Sequence, residues 1–384
     1  MTELSPVYLN ALGAFLPGPP ISNEDAETYL GMIHGVPSRH RASVQKRNGV
    51  QTRHYALDRD RRPRYSNAQM AALAVREALK RSEIAAGDLE YMATATTQGD
   101  LLVPGHASAV HSMLDCPPIE LGNFQSVCAS GMMALKSAYL HIRAGETRNG
   151  VACASEFSSR WFQNEKYEPA LPNHGEPGTP IDMEFLRWTL SDGAGAAILE
   201  SRPNRQGLSL RVEWIDLRSY ANRFETCIYA GTPSNRDTVM KPWSYYKNPA
   251  AAAEDGAMLL KQDFDLLYQM FPTWVAHYVN LVEQGKIVVD EIDYFLAHYS
   301  AKSLRKRMVR LLERTGCMIP EEKWFTNLYT KGNTGAASIY IMLEELVNDG
   351  PLVAGQKILC FVPESGRSIV SFALLTVVDE RECP

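Results

Sequence analysis

No apolar run in this 384-residue chain approaches the ~20 residues of a membrane-crossing helix, which excludes a helical membrane protein. Basic tails and basic stripes interleaved with aromatics are also missing. With a net charge of −5, nothing points to a nucleic-acid partner. The opening Met1-Thr-Glu-Leu-Ser-Pro lacks the basic-then-apolar pattern of a secretory leader. Seven cysteines (116, 128, 153, 227, 317, 360 and 383) are scattered, odd in number and without a Cys-x-x-Cys pair. That usage excludes a disulfide framework or a zinc site and predicts reduced thiols in a cytoplasmic protein with no metal. The glycine-rich run Ser191-Asp-Gly-Ala-Gly-Ala-Ala lacks Gly-x-Gly-x-x-Gly spacing before a helix. It reads as tight packing of a strand against a helix, not a nucleotide site.

What is present is an alternation of strands and helices, the pattern of α/β layering. Apolar runs predict strands at Val7–Leu12, Tyr91–Thr96, Gly150–Ala154, Ala194–Leu199, Leu208–Trp214, Tyr294–His298, Lys357–Phe361 and Ile369–Val378. Helical spacing predicts helices at Asn67–Arg81, Phe264–Val282, 302–314 and 336–347. The chain is longer than a single core usually covers, and the polar Ser201–Gln206 stretch reads as a join. Two halves are expected, 1–204 and 205–384. The stretch from Tyr220 to Asp263, with Trp243, Tyr245, Tyr246 and Pro249, is long for a connection. Such loops are more often functional than not, here as a tunnel wall or a dimer element.

Three places carry chemistry. In Asn123-Phe-Gln-Ser-Val-Cys128-Ala-Ser-Gly-Met-Met-Ala-Leu a strand-like approach meets a helix running from about Ala129 to Arg143. A thiol at the positive end of a helix is expected to favour the thiolate, and Ala129, Ser130 and Gly131 let a carbonyl come close. The bland reading is a small buried cysteine at a strand–helix join. A second segment, Ile292-Asp-Tyr-Phe-Leu-Ala-His298, is a buried strand ending on a histidine, one of nine in the chain. A third, Lys331-Gly-Asn333-Thr-Gly-Ala-Ala-Ser, puts an asparagine in a loop just before a helix. Alone, the histidine is an ordinary loop residue and the asparagine a turn former. Yet both stand where strands give way, as ligand-binding residues of α/β sheets do.

Taken in order with Asn48-Gly-Val-Gln-Thr-Arg-His-Tyr, Ala93-Thr-Ala-Thr-Thr, the Ser191 run and the closing Ser371–Val378 strand, these segments resemble the thiolase-like condensing enzymes. The likeness is greatest to the type III β-ketoacyl-[acyl-carrier-protein] synthases and covers nearly the whole chain. It implies a duplicated thiolase-like fold, a five-layered α-β-α-β-α sandwich. The first half then carries the nucleophilic Cys128 and the second carries His298 and Asn333, which together bind a malonyl carbonyl. The resemblance further implies an oxyanion hole from the backbone N–H groups of Cys128 and Ser368. It implies substrates carried on the phosphopantetheine of acyl carrier protein or coenzyme A, no other cofactor, and a homodimer.

Departures are visible too. A glycine-rich loop of the family is replaced here by Val362-Pro-Glu-Ser-Gly366-Arg367-Ser368, whose side chains narrow or recharge the site. The position of a coenzyme A-stacking tryptophan falls near Ser43, while Arg47 survives. Val103, before Pro104, stands where the family caps the acyl pocket from the partner subunit, and is small. On the helix after His298, Lys302, Arg305, Lys306, Arg307 and Arg310 form either a solvated face or a docking patch for an acidic carrier protein.

The activity implied is decarboxylative Claisen condensation, in fatty-acid-related or polyketide- and resorcinol-type metabolism. One alternative is a same-fold acyltransferase acting on an alcohol or amine without decarboxylation. The other is a non-catalytic partner subunit. Retention of Cys128, His298 and Asn333 favours condensation.

Overall fold

The computed structural model describes residues 4–171, 180–236 and 239–380; Cys383 lies outside them. The main sheet contains β1 (Tyr8–Phe15), β2 (Tyr91–Thr96), β3 (Glu120–Gln125), β4 (Asn149–Glu156), β5 (Gly193–Glu200), β6 (Leu208–Ser219), β7 (Tyr294–Ala297), β8 (Trp324–Phe325), β9 (Lys357–Glu364) and β10 (Ile369–Asp379). The helices packed on it are α1 (Asn67–Lys80), α2 (His106–His111), α3 (Ser130–Ala144), α4 (Phe264–Glu283), α5 (Lys302–Glu313) and α6 (Ser338–Asp349). Predicted elements recur with ends shifted by one to several residues, as β6 does in running on to Ser219.

Strand order is β3-β2-β4-β5-β1-β6-β10-β9-β7-β8. Cut between β1 and β6, the order is one plan used twice: third strand outermost, then second, fourth, fifth and first. The two five-strand sets join where β1 pairs with β6, Tyr8 opposite Arg211 and Leu9 opposite Leu210. The plan restarts between Glu200 and Leu208, across the polar 201–206 stretch.

Side-chain alternation sorts each sheet into two faces. On β9, Ile358, Cys360 and Val362 join one apolar cluster while Leu359 and Phe361 join another. On β4, Ala152 and Ala154 belong to the first and Val151 and Cys153 to the second. The first cluster surrounds α3 and α6, which touch strands of both sets and form the middle layer. Helix α1 covers the far face of the first set, and α4 and α5 pack beyond the second, giving the five-layered α-β-α-β-α thiolase-like sandwich.

Local chemistry supports these positions. Helix α1 opens with a capping box, in which Ser66 accepts from the Gln69 N–H and Gln69 reaches back, worth about 1 kcal/mol. In the Ser191 run, a Cβ on Gly195 would sit 2.4 Å from the Tyr340 Cβ of α6. The run is a packing surface in the middle layer, as its small residues predict. Strands β2, β3 and β4 run parallel, as do β7, β8 and β9. Their carboxyl ends release Thr97, Cys128, Glu156, His298 and Glu364. No helix among the described residues is long and apolar enough to cross a membrane.

Candidate active site

Cys128 sits in the turn between β3 and α3, two residues before the first helical residue, and is 7% exposed. Two adjoining cavities meet at it. The smaller, about 30 Å³, is apolar, with walls from Leu267, Phe271 and Trp274 of α4, Leu304 and Met308 of α5, and His298. The larger, about 200 Å³, is walled by Asn333, Glu156, Arg160, Ile228, Tyr229 and Leu260 among others. Cys128, Ser300 and Ser365 belong to both walls. Of the three residues singled out in sequence, His298 lines one cavity, Asn333 the other, and Cys128 both.

His298 follows β7 directly, and its N–H donates to the Phe361 carbonyl at 2.8 Å, which extends the β7–β9 pairing by one residue. Burial pushes its imidazole down to about 4, so the ring is neutral near pH 7. A neutral ring still offers one N–H to an oxyanion. Asn333 is clamped by backbone: it donates to the Thr189 carbonyl at 3.2 Å and accepts from the Ser191 N–H at 2.8 Å. Its Oδ1 accepts from the Gly335 N–H at 2.9 Å, which leaves Nδ2 as the donor. Each residue thus has a side-chain N–H of the donor type.

The thiol departs from expectation. Burial, then the carboxylates Glu364 and Glu156, push Cys128 well above the ordinary thiol value. Helix position alone had suggested the opposite. Burial is the main physical reason, and Glu364 adds to it by occupying the helix start, accepting the Ala129 N–H at 2.9 Å and the Ser126 hydroxyl at 2.6 Å. Its own carboxyl is raised by burial. Glu156, at the end of β4, accepts from the Thr97 N–H and hydroxyl and the Ala336 N–H, and burial raises it to about 7. Sequence reasoning passed over both acids. Each ends a predicted strand or sits in the altered 362–368 loop, and an acid at the carboxyl end of a parallel strand was the available signal.

Other expectations fare variously. Ser368 is fully buried and lines neither cavity; its hydroxyl accepts from the Trp274 indole at 3.2 Å. The four-residue hairpin turn after Glu364 carries Ser368 away, and Ser365 holds the place beside Cys128 instead. Val103 is 81% exposed beside Leu101 and Leu102 and is absent from both walls of its own chain. Arg47, Lys302, Lys306 and Arg310 are exposed, and the Arg41–Asn48 helix packs against α5. Arg305, in contrast, is engaged by Glu321 and lies over the Trp324 ring. Arg307 covers Tyr268 in the same way. Of the long 220–263 stretch, Ile228, Tyr229, Ala230 and Leu260 wall the larger cavity, and its first part is stitched to the altered loop. Cys227 and Ile228 N–H groups donate to the Gly366 and Ser365 carbonyls at 2.8 and 3.0 Å, and Tyr220 donates to Ser368 at 2.8 Å.

Comparison with known proteins agrees with this geometry. Residues 282–375 match the family model described as 3-oxoacyl-[acyl-carrier-protein (ACP)] synthase III C terminal. Among curated proteins, a β-ketoacyl-[acyl-carrier-protein] synthase III of Streptococcus gordonii is 26% identical over 319 residues, 82% of this chain and 85% of that one. One from Clostridium perfringens is 25% identical over 317 residues, with the same coverage of 82% and 85%. Among solved structures, the tetronic acid condensing enzyme AbyA1 superposes with a TM-score of 0.76 at 20% identity, covering 96% of this chain and 99% of that one. A 3-oxoacyl-[acyl-carrier-protein] synthase III from Aquifex aeolicus gives 0.69 at 19%, again covering 96% and 99%. The chain is similar to β-ketoacyl-[acyl-carrier-protein] synthases III over most of its length and shares the fold of their solved structures.

Proposed function

We propose that this enzyme forms a carbon–carbon bond by decarboxylative Claisen condensation, as an acyltransferase acting on thioesters. Cys128 accepts an acyl group. His298 and Asn333 hold the thioester oxygen of a malonyl-type extender while carbon dioxide leaves, and the carbanion attacks acyl-Cys128. The observation that carries this is the meeting of a histidine-lined and an asparagine-lined cavity at one cysteine. A same-fold acyl transfer to an alcohol or amine passes through no enolate and so has no use for the two N–H donors.

Substrates arrive on the phosphopantetheine of acyl carrier protein or coenzyme A, and no further cofactor takes part. The exposed cations Arg47, Lys302 and Lys306 suit an acidic carrier, with Arg305 anchoring the helix that presents them. A second copy of the chain fits the exposed Leu101–Val103 tip and the outermost strand β3, whose edge has no partner strand among the described residues. Val103 would then complete the partner's acyl site.

Intact mass after incubation with acyl thioesters tests the reading. Wild type gains one acyl group and Cys128→Ala gains none; loading of the alanine variant at another residue refutes it.

A further inference from the structure

Glu364 is a buried acid that the condensation scheme does not use, and it embraces the turn that carries the nucleophile. One carboxylate oxygen holds the Ser126 hydroxyl before Cys128 and the other holds the Ala129 N–H after it. The side chain is 1% exposed and stands at the end of β9, beside Pro363 and Ser365 of the small cavity wall. A carboxylate buried here is costly for a nucleophilic thiolate, since its charge raises the Cys128 thiol. Purely structural capping of the turn needs no charge: a serine or asparagine accepts an N–H equally well.

We propose that Glu364 is the proton acceptor for the Cys128 thiol during acyl loading, on the reading above that Cys128 is the nucleophile. As Sγ bonds to the acyl carbonyl carbon, the S–H proton passes to the Glu364 carboxylate and the C=O electron pair moves onto oxygen. The intermediate then collapses. The bond from that carbon to the carrier sulfur breaks, and the departing thiolate takes the proton back from Glu364. The products are acyl-Cys128, a free carrier thiol and the carboxylate again. Proton exchange between neighbours keeps one negative charge in the pocket throughout, whereas loss of the proton to solvent leaves two.

Of the other titratable groups around the sulfur, His298 is held neutral by burial down to about 4, which makes it a weak base. Glu156 accepts three donors on one oxygen and sits across the larger cavity.

The test compares two rates at Cys128 in wild type, Glu364→Gln and Glu364→Asp: alkylation by iodoacetamide, and acyl loading from a coenzyme A thioester followed by intact mass. Glu364→Gln removes an anion, so alkylation at pH 8 speeds up, yet loading falls roughly 100-fold, the usual size of a lost general base. Glu364→Asp recovers part of the loading rate. If Glu364→Gln loads as fast as wild type or faster, the carboxylate is only a charge near the thiol and the proposal is overturned.

Should the glutamine variant not fold, the pH profiles of wild type decide. Loading levels off above the Glu364 titration while alkylation keeps climbing; two superimposable curves overturn the proposal. A wild-type protein that takes up no acyl group from any thioester overturns the nucleophile reading itself, and this role with it.

Discussion

Gly131 and Ala336 touch backbone to backbone: a Cβ built on Gly131 would lie 2.2 Å from the Ala336 carbonyl oxygen. Each stands three residues beyond a site residue, Cys128 and Asn333, and Tyr340 seals the junction by donating its hydroxyl to the Gly131 carbonyl at 2.8 Å. The approach of α3 to the turn before α6 is what brings the two halves of the site together. Gly131→Ala forces the helices apart and is expected to cost about 1–3 kcal/mol, as overpacking does. Thermal unfolding measures the loss of stability. The condensation rate should fall further than acyl loading, because loading makes no use of Asn333.

The catalytic steps are separable by residue. His298→Ala and Asn333→Ala should still show the acyl mass increase, since neither supplies the sulfur. Each should slow carbon dioxide release from a malonyl thioester by roughly 100- to 1,000-fold, the scale of one missing oxyanion donor. Single-turnover assays on preloaded enzyme report this directly.

Much of this arrangement was legible in sequence because strand alternation and short motifs are local. Tyr91–Thr96 is predicted to the residue, and Cys128 and His298 stand just past strands, whereas Asn333 follows the short Leu328–Lys331 helix and not a strand. The state of the thiol was not legible. It depends on Glu364, 236 residues away in the chain, reaching the first turn of α3, and no local pattern encodes that pairing. The same holds for Ser368. The resemblance implied an oxyanion donor there, but the turn of the β9–β10 hairpin and the Trp274 contact place it in the interior. For the 220–263 segment, length signalled a function, and only its bonds to Ser365, Gly366 and Ser368 identify part of it as a wall.

Glu156 gives a pH signature. Its folded-state value of about 7 lies above the ordinary 4.5, so the native protein binds more protons than the unfolded chain between these limits. The stability it contributes is complete below about 4.5 and is lost as pH rises through about 7. Glu156→Gln, which keeps an acceptor for the Thr97 and Ala336 donors, lacks this loss. The melting temperature of the variant relative to wild type should therefore rise steadily from pH 4.5 to pH 8. His298 titrates in the opposite sense between about 4 and 6.5, but equally in both proteins, and cancels in the difference.

The basic face of α5 makes a separate prediction. Lys306 and Arg310 are exposed, whereas Arg305 and Arg307 are engaged on the protein's own aromatic rings. Reversing Lys306 and Arg310 to glutamate should raise KM for carrier-bound substrate roughly three- to tenfold at low salt. It should leave KM for a coenzyme A thioester and the melting temperature unchanged. Equal KM values with carrier would reduce the face to a solvated one.

The most direct measurement follows a malonyl thioester labelled at its free carboxyl and offered to enzyme already acylated at Cys128. The account predicts that the label leaves as carbon dioxide, one per turnover, while the acyl group departs in a 3-oxo thioester longer by two carbons. Transfer of the acyl group with the label retained, or release of label without a new carbon–carbon bond, would contradict it.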